Sequence, residues 1–176
     1  MKPAEIQQKL QSRFGDKMTG ATLEAMDPWV ECSPEALPEV ARFLKDDVEL
    51  QFDSLNNLSA VDYFQPDEKK AAKFGHEPHL ELVYHLYSYK LKHWIVLKVK
   101  LPRWKNGQKG ELPEVSTVSD VWGIADWHER EAYDLMGIQF TGHPNMRRIL
   151  CPEDWVGHPL RKDYEFPLEY HGVRGK

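Results

Sequence analysis

The stretch HLELVYHLYSYKLKHWIVLKVKLP, residues 79–102, constrains the fold more than any other part of the chain. Apolar and polar side chains alternate along both halves, a period of two that suits a half-buried strand rather than a helix. Leu82, Tyr84 and Leu86 share one face, and Ile95, Leu97, Val99 and Leu101 line up in the second half. The spacing predicts a hairpin turning near residues 88–92.

Helical periodicity on either side supplies elements to cover such a hairpin. Residues 3–14 place Ile6, Leu10 and Phe14 on one side of a short amphipathic helix. Trp29–Cys32 reads as a strand, followed by Ser33 as N-cap and Pro34 as the first helical residue. Leu37, Val40, Ala41 and Leu44 form the buried stripe of that helix. Pro38 lacks the N–H its turn needs, so the helix starts loosely or begins at that proline. Beyond it, 48–52 reads as a strand, Asn56-Asn57 as a turn and 58–63 as a second extended piece. Residues 65–78 form a charged loop and 102–114 a polar, solvated one.

The segment VSTVSDVWGIADWHEREAYDLMGI, residues 115–138, predicts a helix with Val118, Val121, Trp122, Ala125, Glu129, Ala132 and Met136 on one stripe. Gly137 ends it. Glu129 is the odd member, because an unpaired carboxylate on a core-facing stripe costs several kcal/mol. The expected partner is Arg147 or Arg148. A structural pair outweighs a general acid or base, since no second group converges on the same place. Arg130 and Asp134, four apart, are expected to pair on the exposed side.

Past Ile138 the periodicity fades, and Pro144, Pro152, Pro159 and Pro167 forbid a continuing helix or a central strand. Trp155, Leu160, Tyr164, Phe166, Leu168 and Tyr170 are too heavy an apolar load for a disordered tail. The tail therefore packs on this domain or on a partner. Two Gly-His-Pro turns, GHPNMRRI from Gly142 and GHPLRKDY from Gly157, punctuate it. The first is expected to return the chain toward Glu129, the second to launch an arm toward another protein.

Composition removes several function classes. The 176 residues carry a net charge of −5, with 9 Lys+Arg against 14 Asp+Glu in residues 1–75, so no basic field exists for nucleic acid. No window approaches a membrane span, and the start lacks a signal peptide, so a soluble cytoplasmic chain is expected. With only Cys32 and Cys151, the chain cannot ligate an iron–sulfur cluster alone or build a four-cysteine zinc site. His128, His143, Cys151, His158 and His171 follow no metal-ligand spacing. No phosphate loop, nucleophile elbow or dinucleotide fingerprint is present. The residues describe a compact α+β module, 1–150, followed by an extended Pro-rich C-terminal arm, 151–176.

Three blocks in fixed order, EREAYDLMGI at 129–138, GHPNMRRIL at 142–150 and GHPLRKDY at 157–164, closely resemble the signature of the C subunit, or thirty-kilodalton subunit, of respiratory complex I. That complex is the proton-pumping NADH:quinone oxidoreductase. ARFLKDDVELQFDSLNNLSAVDY at 41–63 is similar to the same family, so the resemblance spans roughly residues 28–170. Glu165 stands where the family commonly has proline. The resemblance implies a two-layer domain with a mixed β-sheet packed by helices, located in the hydrophilic arm on the cytoplasmic side of the bacterial inner membrane. It implies no cofactor on this chain, with FMN, iron–sulfur clusters, NADH and quinone held by other subunits. The neighbour it implies is the large D subunit, the forty-nine-kilodalton protein. Trp155, His158, Leu160, Arg161, Lys162, Asp163, Tyr164, Phe166 and Tyr170 would then dock on that partner. The equivalent subunit of a membrane-bound hydrogenase or other-donor quinone reductase shares these motifs. A free-standing metal enzyme using the histidines is the remote alternative.

Overall fold

The computed structural model describes residues 1–175. Its centre is a five-stranded sheet in the order β1 (Met18–Thr22), β2 (Trp29–Cys32), β5 (His93–Pro102), β4 (His79–Ser88), β3 (Ser54–Tyr63). β2 runs parallel to β5 and the other pairs are antiparallel, so the sheet is mixed. The β4–β5 hairpin turns where expected, between Ser88 and His93, and sets Leu82 opposite Val99, Tyr84 opposite Leu97 and Leu86 opposite Ile95. These side chains, with Val30, Leu55 and Leu58, make one face of the core.

Helices α1 (Pro3–Phe14), α2 (Leu37–Asp46) and α4 (Ala125–Met136) contribute to the same core and form the second layer. Ile6 and Leu10 of α1, and Leu37, Val40, Ala41 and Leu44 of α2, are buried as their spacing requires. Residues Pro34–Ala36 form a single 3-10 turn before α2 begins at Leu37. Pro38 thereby falls in the first α-turn, where its missing N–H costs nothing. Ser33 makes no side-chain cap bond.

Several local expectations are corrected. Residues 54–63 form one strand, not a turn followed by a second piece. Asn56 is accommodated as a bulge, since Leu55 opposes Leu86 and Asn57 opposes His85. Leu50 and Phe52 are buried from turn and irregular backbone, so their alternation reports burial rather than a strand. The charged stretch contains α3 (Glu68–Phe74), capped by the Asp67 side chain, which accepts the Lys69 N–H, and ended by left-handed Gly75.

A further correction concerns α4, which starts only at Ala125. Val118, Val121 and Trp122 lie before it in successive tight turns, with Val121 and Trp122 donating to the Val118 carbonyl. Such turns place side chains at nearly helical spacing, and all three remain buried. Ahead of them, β6 (Glu114–Ser116) pairs in parallel with β7 (Gln139–Thr141), clasping the two ends of the α4 unit. A last small hairpin joins β8 (Glu169–Tyr170) and β9 (Val173–Arg174).

Candidate functional site: the end of helix α4 and the segment folded over it

The last carbonyls of α4 have no partner within the helix. Gly137, at φ 66°, turns the chain away, and residues 148–161 supply the missing donors. Leu160 donates its N–H to the Leu135 carbonyl at 3.0 Å. His158 Nδ1 and Arg148 Nη1 bond the Asp134 carbonyl, at 2.9 and 3.2 Å. Arg161 Nε donates to the Met136 carbonyl at 2.8 Å, and its Nη2 to the Arg103 carbonyl at 2.8 Å. The GHPLR segment therefore caps the helix. The His158 ring occupies the space a side chain at Gly137 would need, 2.5 Å from where its Cβ would sit.

Asp134 organises the first Gly-His-Pro block. Its Oδ2 accepts the consecutive N–H groups of Ile149, Leu150 and Cys151 at 2.7–2.9 Å, while Oδ1 pairs with Arg148 at 2.7 Å. Burial works to raise its pKa, but these donors outweigh it and hold the carboxyl below the usual range. Arg148 also donates to the Gly157 carbonyl, tying the two turns together.

A second cluster joins the end of β5 to the later block. Arg103 makes a two-pronged contact with Asp62 at 2.8 Å per bond and reaches Asp163 at 2.6 Å. Burial opposes its charge, but the two carboxylates overcome that and raise its pKa. Asp62 also accepts the Lys162 N–H at 2.9 Å. The neighbouring Arg161 lies 3.7 Å over the Trp104 ring. Burial, then the like charge of Arg103, lower its pKa to about 10.

The expected Glu129 pairs with Arg147 and Arg148 do not form. Glu129 accepts the Thr117 hydroxyl and the Val118 N–H instead, at 2.5 and 2.7 Å. Arg148 is taken by Asp134, and Arg147 offers only its backbone carbonyl, to Arg130. The Arg130–Asp134 pair is absent too: both side chains are buried, and Arg130 approaches Asp126 at 4.0 Å. Neutral donors adjacent in the fold satisfy Glu129 without a guanidinium.

Of the nine residues expected to meet a partner, His158, Arg161 and Asp163 point into this domain. Lys162 uses its backbone on Asp62 and leaves its side chain exposed. Tyr164 donates to the Val156 carbonyl and packs edge-on to Phe166, with ring centres 5.0 Å apart. Trp155 packs on Tyr170, whose hydroxyl donates to Asp154. Four apolar side chains of the segment stay open: Val156 is 85 % exposed, Leu168 82 %, Phe166 69 % and Leu160 57 %. Sequence reasoning missed Asp62, Arg103 and Trp104. A charged residue on the core-facing rhythm of β3, as Asp62 is after Leu58 and Ala60, was the available signal.

No group of three or more metal-binding side chains gathers among the described residues. No helix among them is long and apolar enough to cross a membrane.

Comparison with known proteins agrees with this architecture. The chain is 44% identical over 161 residues to the C subunit of the NADH-quinone oxidoreductase of Roseiflexus castenholzii, covering 92% of this chain and 83% of that one. It is 40% identical over 167 residues to the protein of the same name from Chlorobium phaeobacteroides, covering 94% and 90%. A chain from the solved structure of the membrane-bound sulfane sulfur reductase, an archaeal respiratory membrane complex, shares the fold with a TM-score of 0.68. At 22% identity, over 92% of this chain and 85% of that one, the likeness concerns the fold alone. Residues 30–170 match the family described as respiratory-chain NADH dehydrogenase, 30 Kd subunit, and the chain belongs to that family.

Proposed function

We propose that the chain is a non-catalytic assembly subunit in the hydrophilic arm of an NADH:quinone oxidoreductase, docking through the segment from Cys151 onward onto the large D subunit. Electrons pass from NADH to quinone through FMN and iron–sulfur clusters on other subunits, and this chain supplies shape. Its place is peripheral, on the cytoplasmic side of a bacterial inner membrane. The names of its relatives support the parent complex.

The observation that carries the docking role is the set of exposed apolar side chains, Val156, Leu160, Phe166 and Leu168, on a segment whose residues 160–162 are hydrogen-bonded to α4 and β3. Exposed apolar groups concentrated on an already ordered segment pay little further entropy when covered, which favours a specific interface. Arg161 and Asp163 serve that interface by holding the segment in place, and Lys162 by facing outward beside it. The test replaces Phe166 and Leu168 together by Asp in the full chain. Co-purification with the D subunit should be lost while the circular dichroism spectrum stays unchanged. Stoichiometric co-purification of this variant would overturn the docking role.

A further inference from the structure

Glu129 has no exposed surface, and the only basic side chain within 4.0 Å among the described residues is His143. The other ionisable groups facing it carry no compensating positive charge. Asp126 lies one turn earlier on α4, and Asp120 lies on the turns before the helix. From the sheet side, Tyr84 of β4 presents a buried hydroxyl that makes no hydrogen bond. His143, after β7, places Nε2 3.9 Å from Glu129 Oε2. Its Nδ1 accepts the Asn145 N–H, so the ring proton resides on Nε2 and is directed to the Asp126 carbonyl at 3.1 Å. Burial, and then the two aspartates, raise the Glu129 carboxyl to about 7 against the pull of its two hydrogen bonds.

The hydrogen bonds around it also form a path. Thr117 Oγ1 stands 2.5 Å from Glu129 Oε2 and 2.8 Å from Ser119 Oγ. Ser119 borders an open cleft together with Arg42, Asp120 and Thr141. A hydroxyl both donates and accepts, so this chain can reverse its polarity without moving a heavy atom.

We infer that Glu129 is a buried proton-binding site that exchanges with solvent through the hydroxyls of Thr117 and Ser119. With Glu129 ionised, Ser119 donates to Thr117 and Thr117 donates to Oε2. A proton arriving at Ser119 Oγ from water releases the existing Ser119 proton to Thr117, and the Thr117 proton passes to Oε2. Glu129 then donates to Thr117 and Thr117 to Ser119. Each hydroxyl ends with one proton, and the carboxylate charge is neutralised. Residues 117–119 stay fastened to α4 in both states: the Thr117 and Val118 donors favour the ionised carboxylate, and the proton relieves the larger cost of burying its charge. A carboxyl raised in the fold contributes stability that is whole below its unfolded pKa and lost as pH rises through about 7.

The experiment is a carboxyl NMR titration of the full chain, labelled with carbon-13 at the glutamate side-chain carboxyl, from about pH 5 to about pH 9. One glutamate should titrate with a midpoint near 7, and its signal should be missing in Glu129→Gln. Thr117→Val removes the donor that favours the ionised form and should move that midpoint upward by roughly one unit. Thr117→Ser should restore it. If Glu129→Gln does not fold, the Thr117 variants identify the signal by its displacement. Titration of every glutamate in the ordinary range below about pH 5 would overturn the inference. A midpoint near 7 that ignores the Thr117 hydroxyl would overturn it equally.

Discussion

Arg161 donates from Nε to the Met136 carbonyl at 2.8 Å, so a side chain twenty-five residues further on ends helix α4. The same guanidinium reaches the Arg103 carbonyl and covers the Trp104 ring. One residue thereby joins the helix, the end of the central hairpin and the C-terminal segment. Its removal tests whether that junction is structural.

Arg161→Met should leave the Met136 and Arg103 carbonyls without their donor and cost about 2–4 kcal/mol. Arg161→Lys should recover less than half of this, because one ammonium cannot span separate carbonyls and also stack on an indole. Urea unfolding midpoints of the three proteins measure the difference.

Gly137→Ala should destabilise by about 2–4 kcal/mol. Its backbone sits at φ 66°, and the new Cβ would lie 2.5 Å from the His158 ring. The backbone part alone is about 1 kcal/mol. His158→Ala in the Gly137→Ala background should relieve the collision but not the backbone cost. A double-mutant cycle reads the two separately.

Asp134→Asn should lose about 1–3 kcal/mol at neutral pH, because the half-buried Arg148 is left beside a neutral amide. The folded carboxyl lies below its unfolded value, so its contribution is whole above the unfolded pKa and lost as pH falls through the folded one. The gap between wild type and variant should therefore close in acid, below about pH 4. Thermal melts across the acid range check the sign.

Arg103→Ala should cost about 3–5 kcal/mol by stranding the buried Asp62 carboxylate. Asp163→Asn should cost only about 1 kcal/mol, since Asp163 is 20 % exposed and Arg103 keeps Asp62. Limited proteolysis should cut near residues 160–165 much faster in the Arg103 variant than in the Asp163 variant.

Much of the frame was readable from local rhythm. The hairpin at 79–102 and the stripes of α1 and α2 were legible because each buried face repeats at the period of its own backbone. The same signal misled at 118–122, where consecutive turns imitate helical spacing, and at 48–52, where irregular backbone buries alternate residues. At the site, periodicity identified Glu129 as a buried carboxylate but could not name its partner. It placed Asp134 on the exposed side with Arg130, whereas that carboxylate is buried and takes three backbone donors from residues that look unremarkable in the chain.

The sequence by itself determined the central hairpin, the buried stripes of α1 and α2 and, through its three ordered blocks, the family. Only the tertiary structure decided which charge meets which. Asp62 meets Arg103 across forty-one positions, and the Lys162 N–H across one hundred. Those separations carry no periodicity to read. The pairing is set by where the ends of α4 and β5 come together and by the cost of burying either charge alone. That geometry turned GHPLRKDY from a free arm into the cap of a helix, and left the apolar side chains around it facing outward.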